Sequence, residues 1–444
     1  MEENKRMKVA MICHFSNAEV REHLLFSKRV LFRLVRRLLR MPAKNGGFAD
    51  IAPWDSNMIS SIKERDDLDL YVISAHGGLL RNPQSFEADG VHYTFVRPEM
   101  ANFLKVVIQS DKLWRRLNPM TSIIKRRIET IHPDIIVLVG AENCYYSSSV
   151  LSIKGYPVYT LCQNVINSPD YSHDGKRNTK NASTELEIIN HSRYMGVYSE
   201  KHYNLLRELG YNGYIFSFNW PIVSNNGFIP SPCSEKEYDF INFAQHMSEG
   251  KGYHDSIKAL AIVKQKYPRV RLCLVDGGYD TVREELKRLI AELNLEDNVT
   301  FIPFFKERND LFQFLQKVRF AVLPCKKDFI SGTQLQSMKY GLPLVCYKTT
   351  GTPLFNKDNP CVLIADMNNI GQLAEKMMLL MSDPELASKL RDNAIEYMTK
   401  RRSQSLGNMQ RLVDNFHAII ANYTLGESVP EGQLFESLFE VGKG

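Results

Sequence analysis

Between Phe320 and Cys346 the chain reads as an apolar strand, a polar loop, a short helix ending at Gly341 and a second apolar strand, and Ser331-Gly332-Thr333 stands where that helix starts. Ser is a favoured helix N-cap, Gly lets a ligand come close to the backbone, and the first N–H groups of a helix have no acceptor within it. Such a terminus carries the positive end of the helix dipole and suits an anion such as a diphosphate. Asp328 and Gln336, eight residues apart, flank it, and Lys251 in Glu249-Gly250-Lys251-Gly252 offers a cation opposite the helix terminus. The chemistry this set supports is stabilisation of negative charge on a diphosphate.

Positioning these residues calls for strands that end on one side. Apolar stretches at 7–13, 70–74, 135–139, 158–161 and 194–198 read as buried strands separated by helix-length segments. A Ser-, Pro-, Asn- and Gly-rich stretch then interrupts the rhythm, and a second series follows at 238–243, 272–275, 299–302, 320–323 and 344–346, with helices at 253–266, 281–293 and 310–318. The alternation predicts an α/β protein of two Rossmann-like, doubly wound domains facing a cleft. Residues 1–220 form the first, 221–237 a linker and 238–403 the second, with helices at 370–381 and 384–400. A helix at 405–423 and a tail to 444 return to the first domain. Ligands of open α/β sheets bind beyond the C-terminal ends of the strands. On the first domain that places Glu142 and Asn143, after the strand at 135–139, and Gln163 and Asn164, after 158–161, on the acceptor side of the cleft.

Composition narrows the class of protein. With 444 residues, 44% apolar, 24% charged and a net charge of +6, the chain is a packed globular protein rather than a disordered or fibrous one. No run of 18 apolar residues is present, and eight scattered Cys include no CxxC pair, which predicts reduced thiols and a cytoplasmic protein. Between Arg21 and Lys44 lie eight basic residues and one acid, leaving the remainder near neutral. At 100° per residue Arg29, Arg33, Arg36, Arg37 and Arg40 share about 100° of a helix surface opposite Leu31, Leu34, Val35 and Leu38. A basic amphipathic helix over 21–41 is expected, suited to a peripheral position on an anionic membrane surface, with Lys112 to Arg127 extending the patch. No nucleic-acid motif accompanies the charge, so nucleic acid is not an expected partner. Asp67-Leu68-Asp69 has the Asp-x-Asp form of a metal-binding pair but reads as a solvated turn.

The second half resembles the nucleotide-sugar-binding domain of retaining glycosyltransferases of family 4, the group 1 glycosyltransferases of GT-B architecture. Their signature of two Glu eight residues apart, followed by Gly-x-Pro, is similar to Asp328-FISGTQL-Gln336 and Gly341-Leu342-Pro343. Lys251-Gly252, LCLVDGG at 272–278, LNLEDNVTFIPF at 293–304 and Thr350-Gly351-Thr352-Pro353 follow in the same order, while Gly46-Gly47 is similar to the donor-phosphate Gly pair of the first domain. The resemblance implies transfer of a sugar, with retention, from a nucleoside-diphosphate sugar to the hydroxyl of a glycan or lipid-linked acceptor. It implies Asp328 and Lys251 as catalytic groups, and His246, Lys251, Ser331, Gly332, Thr333, Gln336 and Gly47 as donor contacts, with no metal and no cofactor beyond the donor. Four positions depart from the pattern. Gln336 replaces a ribose-binding Glu with one carbonyl oxygen, Asp328 is a methylene shorter than Glu, His246 stands where the family carries Arg, and Gln163 stands where the family often carries a His after a strand of the first domain. A non-catalytic nucleotide-sugar-binding protein and a sugar-nucleotide epimerase are the alternatives on the same fold.

Overall fold

A computed structural model describes residues 6–26, 51–108, 110–168, 179–221, 236–244, 247–277, 280–305, 308–326, 330–403 and 405–436. Among them, strands β1 (Met7–Cys13), β2 (Leu68–Ala75), β3 (Gln84–Ala88), β4 (Val91–Val96), β5 (Ile135–Val139), β6 (Val158–Leu161), β7 (Tyr194–Val197) and β8 (Tyr214–Ser217) form one sheet in the order β3-β4-β2-β1-β5-β6-β7-β8. Strands β9 (Tyr238–Asn242), β10 (Leu272–Asp276), β11 (Val299–Pro303), β12 (Val318–Leu323), β13 (Leu344–Tyr347) and β14 (Val362–Ala365) form the other, in the order β11-β10-β9-β12-β13-β14. All pairs are parallel except β3–β4. Every residue of β5 and β13 is buried, as strands covered on both faces must be.

The first half carries α1 (Ala18–Glu22), α2 (Pro53–Lys63), α3 (Glu99–Val107), α4 (Asp111–Leu117), α5 (Pro119–Ile131), α6 (Cys144–Ser147), α7 (Thr179–His191) and α8 (Glu200–Glu208). The second carries α9 (Tyr253–Lys266), α10 (Asp280–Glu292), α11 (Arg308–Leu315), α12 (Gly332–Lys339), α13 (Ile370–Ser382), α14 (Pro384–Ser403) and α15 (Ser405–Leu425). No described helix is long and apolar enough to cross a membrane.

Each sheet switches direction once. β1 has β2 on one side and β5 on the other, and β9 lies between β10 and β12, so both loops after the first strand open at a switch point. Helix α15 crosses to the first sheet. Its Met409, Leu412, Val413, Phe416 and Ile419 share one buried cluster with β1 and β5 residues. Asn415 Nδ2 donates to Ser217 O at 3.0 Å and to the Tyr159 hydroxyl at 3.2 Å, and Tyr194 donates to Asn422 at 2.7 Å. Beyond it Phe435 N donates to Ile215 O at 2.8 Å and the Phe435 ring stacks on Tyr203.

The basic helix does not begin where the periodicity predicts. Arg21 and Glu22 belong to the last turn of the short α1, which ends at His23, and Leu24 is buried in the first-half core. Leu25 is held in a non-helical path by Gln84, which accepts its N–H at 2.9 Å and donates to its carbonyl at 2.7 Å. Two fixed backbone partners outside the helix leave no i to i−4 bond there. Residues 27–50, which hold the rest of that predicted helix and Gly47, lie outside the described residues.

Candidate functional site

The turn bearing Lys251 is fixed by its neighbours. Gly252 has φ +74°, and a Cβ there would stand 2.3 Å from Pro324 O, so the position excludes every other residue. Lys326 N donates to Gly250 O at 2.9 Å, which lashes the turn after β9 to the loop after β12, its neighbour in the sheet. The Lys326 ammonium pairs with Asp255 at 2.9 Å, and the same Asp255 oxygen accepts from the Tyr347 hydroxyl at 2.9 Å. Tyr253 takes Ala244 N at 2.9 Å and donates to Val275 O at 3.0 Å. Nearby, Asp276 at the end of β10 pairs with Arg283.

Ser331 takes the N-cap position of α12, with extended backbone at φ −77° and ψ 136°. Gln334, buried, accepts Ser331 N at 3.1 Å and donates to Leu323 O at 3.2 Å, so the helix front is tied back to the end of β12. The Ser331 and Thr333 hydroxyls are 3.0 Å apart. Gly332 and Thr333 occupy the first turn, where a helix supplies no acceptor for its N–H groups. Gln336 is half-buried one turn on. Asp328 and His246 lie outside the described residues.

The first half presents a different kind of surface. At the end of β5, Gly140 adopts φ +76°, and the Glu142 carboxyl folds back to 2.7 Å from where a Cβ on Gly140 would stand. Burial pushes the Glu142 carboxyl up to about 8. Asn143 Nδ2 donates to Glu142 Oε1 at 3.1 Å. Across the β1–β5 switch point, Asp55 sits in the first turn of α2, 1% exposed, and its carboxyl is raised by burial and then by the charge of Glu142. Beside it His14 meets the Tyr145 hydroxyl through Nδ1 at 2.6 Å, and burial followed by the charge of His76 lowers the imidazole to about 4. Asp55 Oδ1, Glu142 Oε2 and Trp54 Nε1 are buried and have no hydrogen-bond partner among the described residues. Gln163 and Asn164, both half-buried, follow β6, with the Gln163 carbonyl accepting from Tyr198 at 3.5 Å.

Two of these surfaces meet. A Cβ on Gly332 would come within 3.8 Å of Trp54 Cζ3, so the front of α12 faces the front of α2. The structure therefore gathers Lys251, Ser331, Gly332 and Thr333 at neighbouring strand ends of the second sheet, with Glu142, Asn143, Gln163 and Asn164 at neighbouring strand ends of the first. Sequence reading missed His14, Trp54, Asp55 and Tyr145. Pro53 at the first position of α2 followed by an acid is a legible helix-start signal and could have flagged Asp55. Asp67 and Asp69 lie at the opposite end of the first sheet. Asp67 is held by Arg65 at 2.7 and 2.8 Å, and Asp69 accepts from Tyr71 at 2.9 Å. Among the described residues no three His, Cys, Asp or Glu side chains are grouped to hold a metal ion.

Residues 229–397 match the family model described as Glycosyl transferases group 1. The second half is a group 1 glycosyltransferase domain. An uncharacterised glycosyltransferase of Haemophilus influenzae is 27% identical over 175 residues, 39% of this chain and 48% of that protein. The N-acetylgalactosamine-N,N'-diacetylbacillosaminyl-diphospho-undecaprenol 4-alpha-N-acetylgalactosaminyltransferase of Campylobacter jejuni is 25% identical over 157 residues, 35% of this chain and 40% of that protein. The aligned stretch thus spans half or less of these curated relatives. HepE of Anabaena, solved in complex with UDP, superimposes with a TM-score of 0.62 at 15% identity, covering 93% of this chain and all of that one. The group 1 glycosyltransferase domain and the sheet of the first half together make the GT-B fold, as the resemblance implies. In this domain the matched segment includes both the Lys251 turn and the front of α12.

Proposed function

We propose that this chain is a glycosyltransferase that moves a sugar, of the hexosyl type and with retention, from a nucleoside-diphosphate sugar to an acceptor hydroxyl. The observation that carries the reading is the hydrogen bond from Lys326 N to Gly250 O at 2.9 Å, which holds the Lys251 turn beside the segment that leads into α12. In the transfer the bond from the anomeric carbon to the diphosphate oxygen breaks, a bond to the acceptor oxygen forms, and the acceptor proton leaves with the diphosphate. Charge grows on that leaving group, where Lys251 and the Gly332 and Thr333 amides stabilise it without a metal. One such donor is worth ~2.7–4 kcal/mol. Gly47 and His246 add donor contacts, Gln336 addresses the ribose and Asp328 orients the donor sugar.

The acceptor enters over Glu142, Asn143, Gln163 and Asn164. Because burial keeps a proton on the Glu142–Asp55 pair, this side offers both donors and acceptors to a sugar hydroxyl, beside the apolar wall of Trp54. The similarity to a transferase acting on a diphospho-undecaprenol substrate favours a lipid-linked glycan, met at the cytoplasmic face of a membrane in polysaccharide assembly. Calorimetry with UDP, GDP and ADP, followed by hydrolysis of the matching glucose nucleotides, tests the donor half of the reading. Binding of one nucleotide, lost in Lys251→Ala, is expected, and absence of binding to all three overturns it.

A further inference from the structure

Five of the large apolar side chains most open to solvent lie on two consecutive short helices. On α3 they are Met100, Phe103 and Val107, 58%, 61% and 58% exposed, and on α4 Leu113 and Leu117, 46% and 50% exposed. At 100° per residue the first three fall within about 60° of one another and the last two within about 40°. The inner faces of the same helices are satisfied. Ala101 is fully buried, Trp114 is 2% exposed, and Trp114 Nε1 donates to Ala101 O at 3.0 Å, pinning α4 on α3. The outward stripe is therefore a second apolar face on elements whose core face is already in place. An apolar patch of this kind marks a docking surface rather than scattered exposure.

Charge says what docks. From 97 to 127 the sequence holds eight basic residues and two acids. Arg97, Arg116 and Arg126 are exposed on the segments that flank or carry the stripe, and Lys125, also exposed, stands 3.8 Å from Glu129. Of the two acids, Glu99 accepts Gly78 N and so is occupied in holding the start of α3 against the loop after β2. An apolar stripe rimmed by cations suits a surface that is anionic outside and hydrocarbon within.

We infer that α3 and α4 form the face by which this protein lies on an anionic lipid surface, with Met100, Phe103 and Val107 entering the acyl boundary. The inference rests on the lipid-linked acceptor reading for its purpose, and it supplies the element that would set the cleft at the membrane. The sequence expectation placed the contact on residues 21–41 with Lys112 to Arg127 extending it, and the inference assigns its apolar part to α3 and α4 instead.

Flotation of the full chain with vesicles of phosphatidylcholine alone, or of phosphatidylcholine and phosphatidylglycerol in equal parts, tests it. Wild type is expected to float with the mixed vesicles only, and less at high salt. Met100→Ser, Phe103→Ser and Val107→Ser together are expected to lower the vesicle-bound partition roughly tenfold. These side chains are exposed, so thermal unfolding and nucleotide binding of the triple variant should match wild type. Equal flotation of wild type and triple variant overturns the inference, as does wild type that fails to float. So does loss of flotation confined to a variant with Arg33, Arg36, Arg37 and Arg40 changed to Gln, or a wild-type dimer in sedimentation that the triple variant turns into a monomer. None of these readouts uses sugar transfer, so failure here leaves the donor reading standing, and failure to bind any nucleotide leaves this surface standing.

Discussion

The two halves of the cleft are built from different kinds of group. The second half presents a lysine on a turn locked by Gly252 and the amides of a helix front tied back by Gln334. The first half presents titratable side chains, Asp55, Glu142, His14 and Tyr145, packed where water is excluded. Backbone sites demand particular residue types at fixed spacing, because only certain residues make the turn, and they therefore leave a sequence signature. Buried side-chain clusters draw their members from distant segments, here 14, 55 and 142–145, and spacing cannot reveal them. The contrast teaches where each half should be vulnerable: the second to changes of shape, the first to changes of proton.

The largest expected effect is on the first half. Glu142 holds its proton up to about 8 in the folded chain, against an ordinary 4.5. Its contribution to stability is therefore fully present below pH 4.5 and is lost as pH rises towards 8. At ~1.4 kcal/mol per tenfold change in proton affinity this amounts to ~5 kcal/mol. Urea unfolding of wild type between pH 5 and 9 should show a decline that Glu142→Gln makes shallower, the raised Asp55 carboxyl supplying the remainder. A slope equal in both proteins would mean that Glu142 is ionised in the folded chain. His14 carries the opposite sign. Its folded imidazole is lowered to about 4 against 6.5, so its contribution is present above 6.5 and lost as pH falls through 4. The two windows overlap between 4.5 and 6.5, where the opposite slopes offset each other, so a plateau there followed by a decline towards 8 is the joint expectation, and His14→Gln should make the decline begin near 4.5.

Next come two glycines that separate shape from ligand approach. Gly252→Ala must place a methyl 2.3 Å from Pro324 O at a left-handed φ, which should cost ~3 kcal/mol in urea unfolding and abolish nucleotide binding with it. Gly332→Ala meets nothing nearer than Trp54 at 3.8 Å and sits in a helix, so stability should hold or rise by ~1 kcal/mol. Nucleotide affinity should nonetheless fall, because the methyl stands where a ligand approaches the α12 amides. If Gly332→Ala binds nucleotide as wild type does, those amides are not the anion site.

Much of the frame was legible and its reasons are physical. The strands at 135–139 and 158–161 have the observed bounds, and α9 spans 253–266 as read, because continuous apolar runs and a helical period bounded by Gly and Pro admit few alternatives. The β3–β4 hairpin was missed although Asp89-Gly90, with φ +48° and +73°, is the two-residue turn that such a pair requires. Both strands mix polar and apolar residues, and β3 is the sheet edge, so they lacked the continuous run that marked the others. The early end of α1 was illegible for another reason: Gln84, sixty residues away, decides it. In the site, Ser331, Gly332 and Lys251 stood out because each answers a backbone need. Asp55 did not, because an acid in a first helical turn is ordinary on exposed helices and only burial beside Glu142 makes it unusual.

The smallest effect is expected from Asp67 and Asp69, and it bears on the absence of a metal from the proposed mechanism. An Asp-x-Asp pair that holds a metal-bound diphosphate must lie at the strand ends that face the cleft. Asp67 instead accepts Met7 N through its carbonyl, where β1 and β2 begin, and its carboxylate is taken up by Arg65. That pair is exposed, and such pairs contribute under ~1 kcal/mol. Asp67→Asn with Asp69→Asn should therefore leave donor hydrolysis within about twofold of wild type, since a first-contact group would cost far more. Chelation of divalent ions should be equally silent. If the double variant loses hydrolysis while nucleotide binding and unfolding are unchanged, the pair reaches the reaction after all, and the division between a backbone half and a side-chain half gives way to a metal-assisted site.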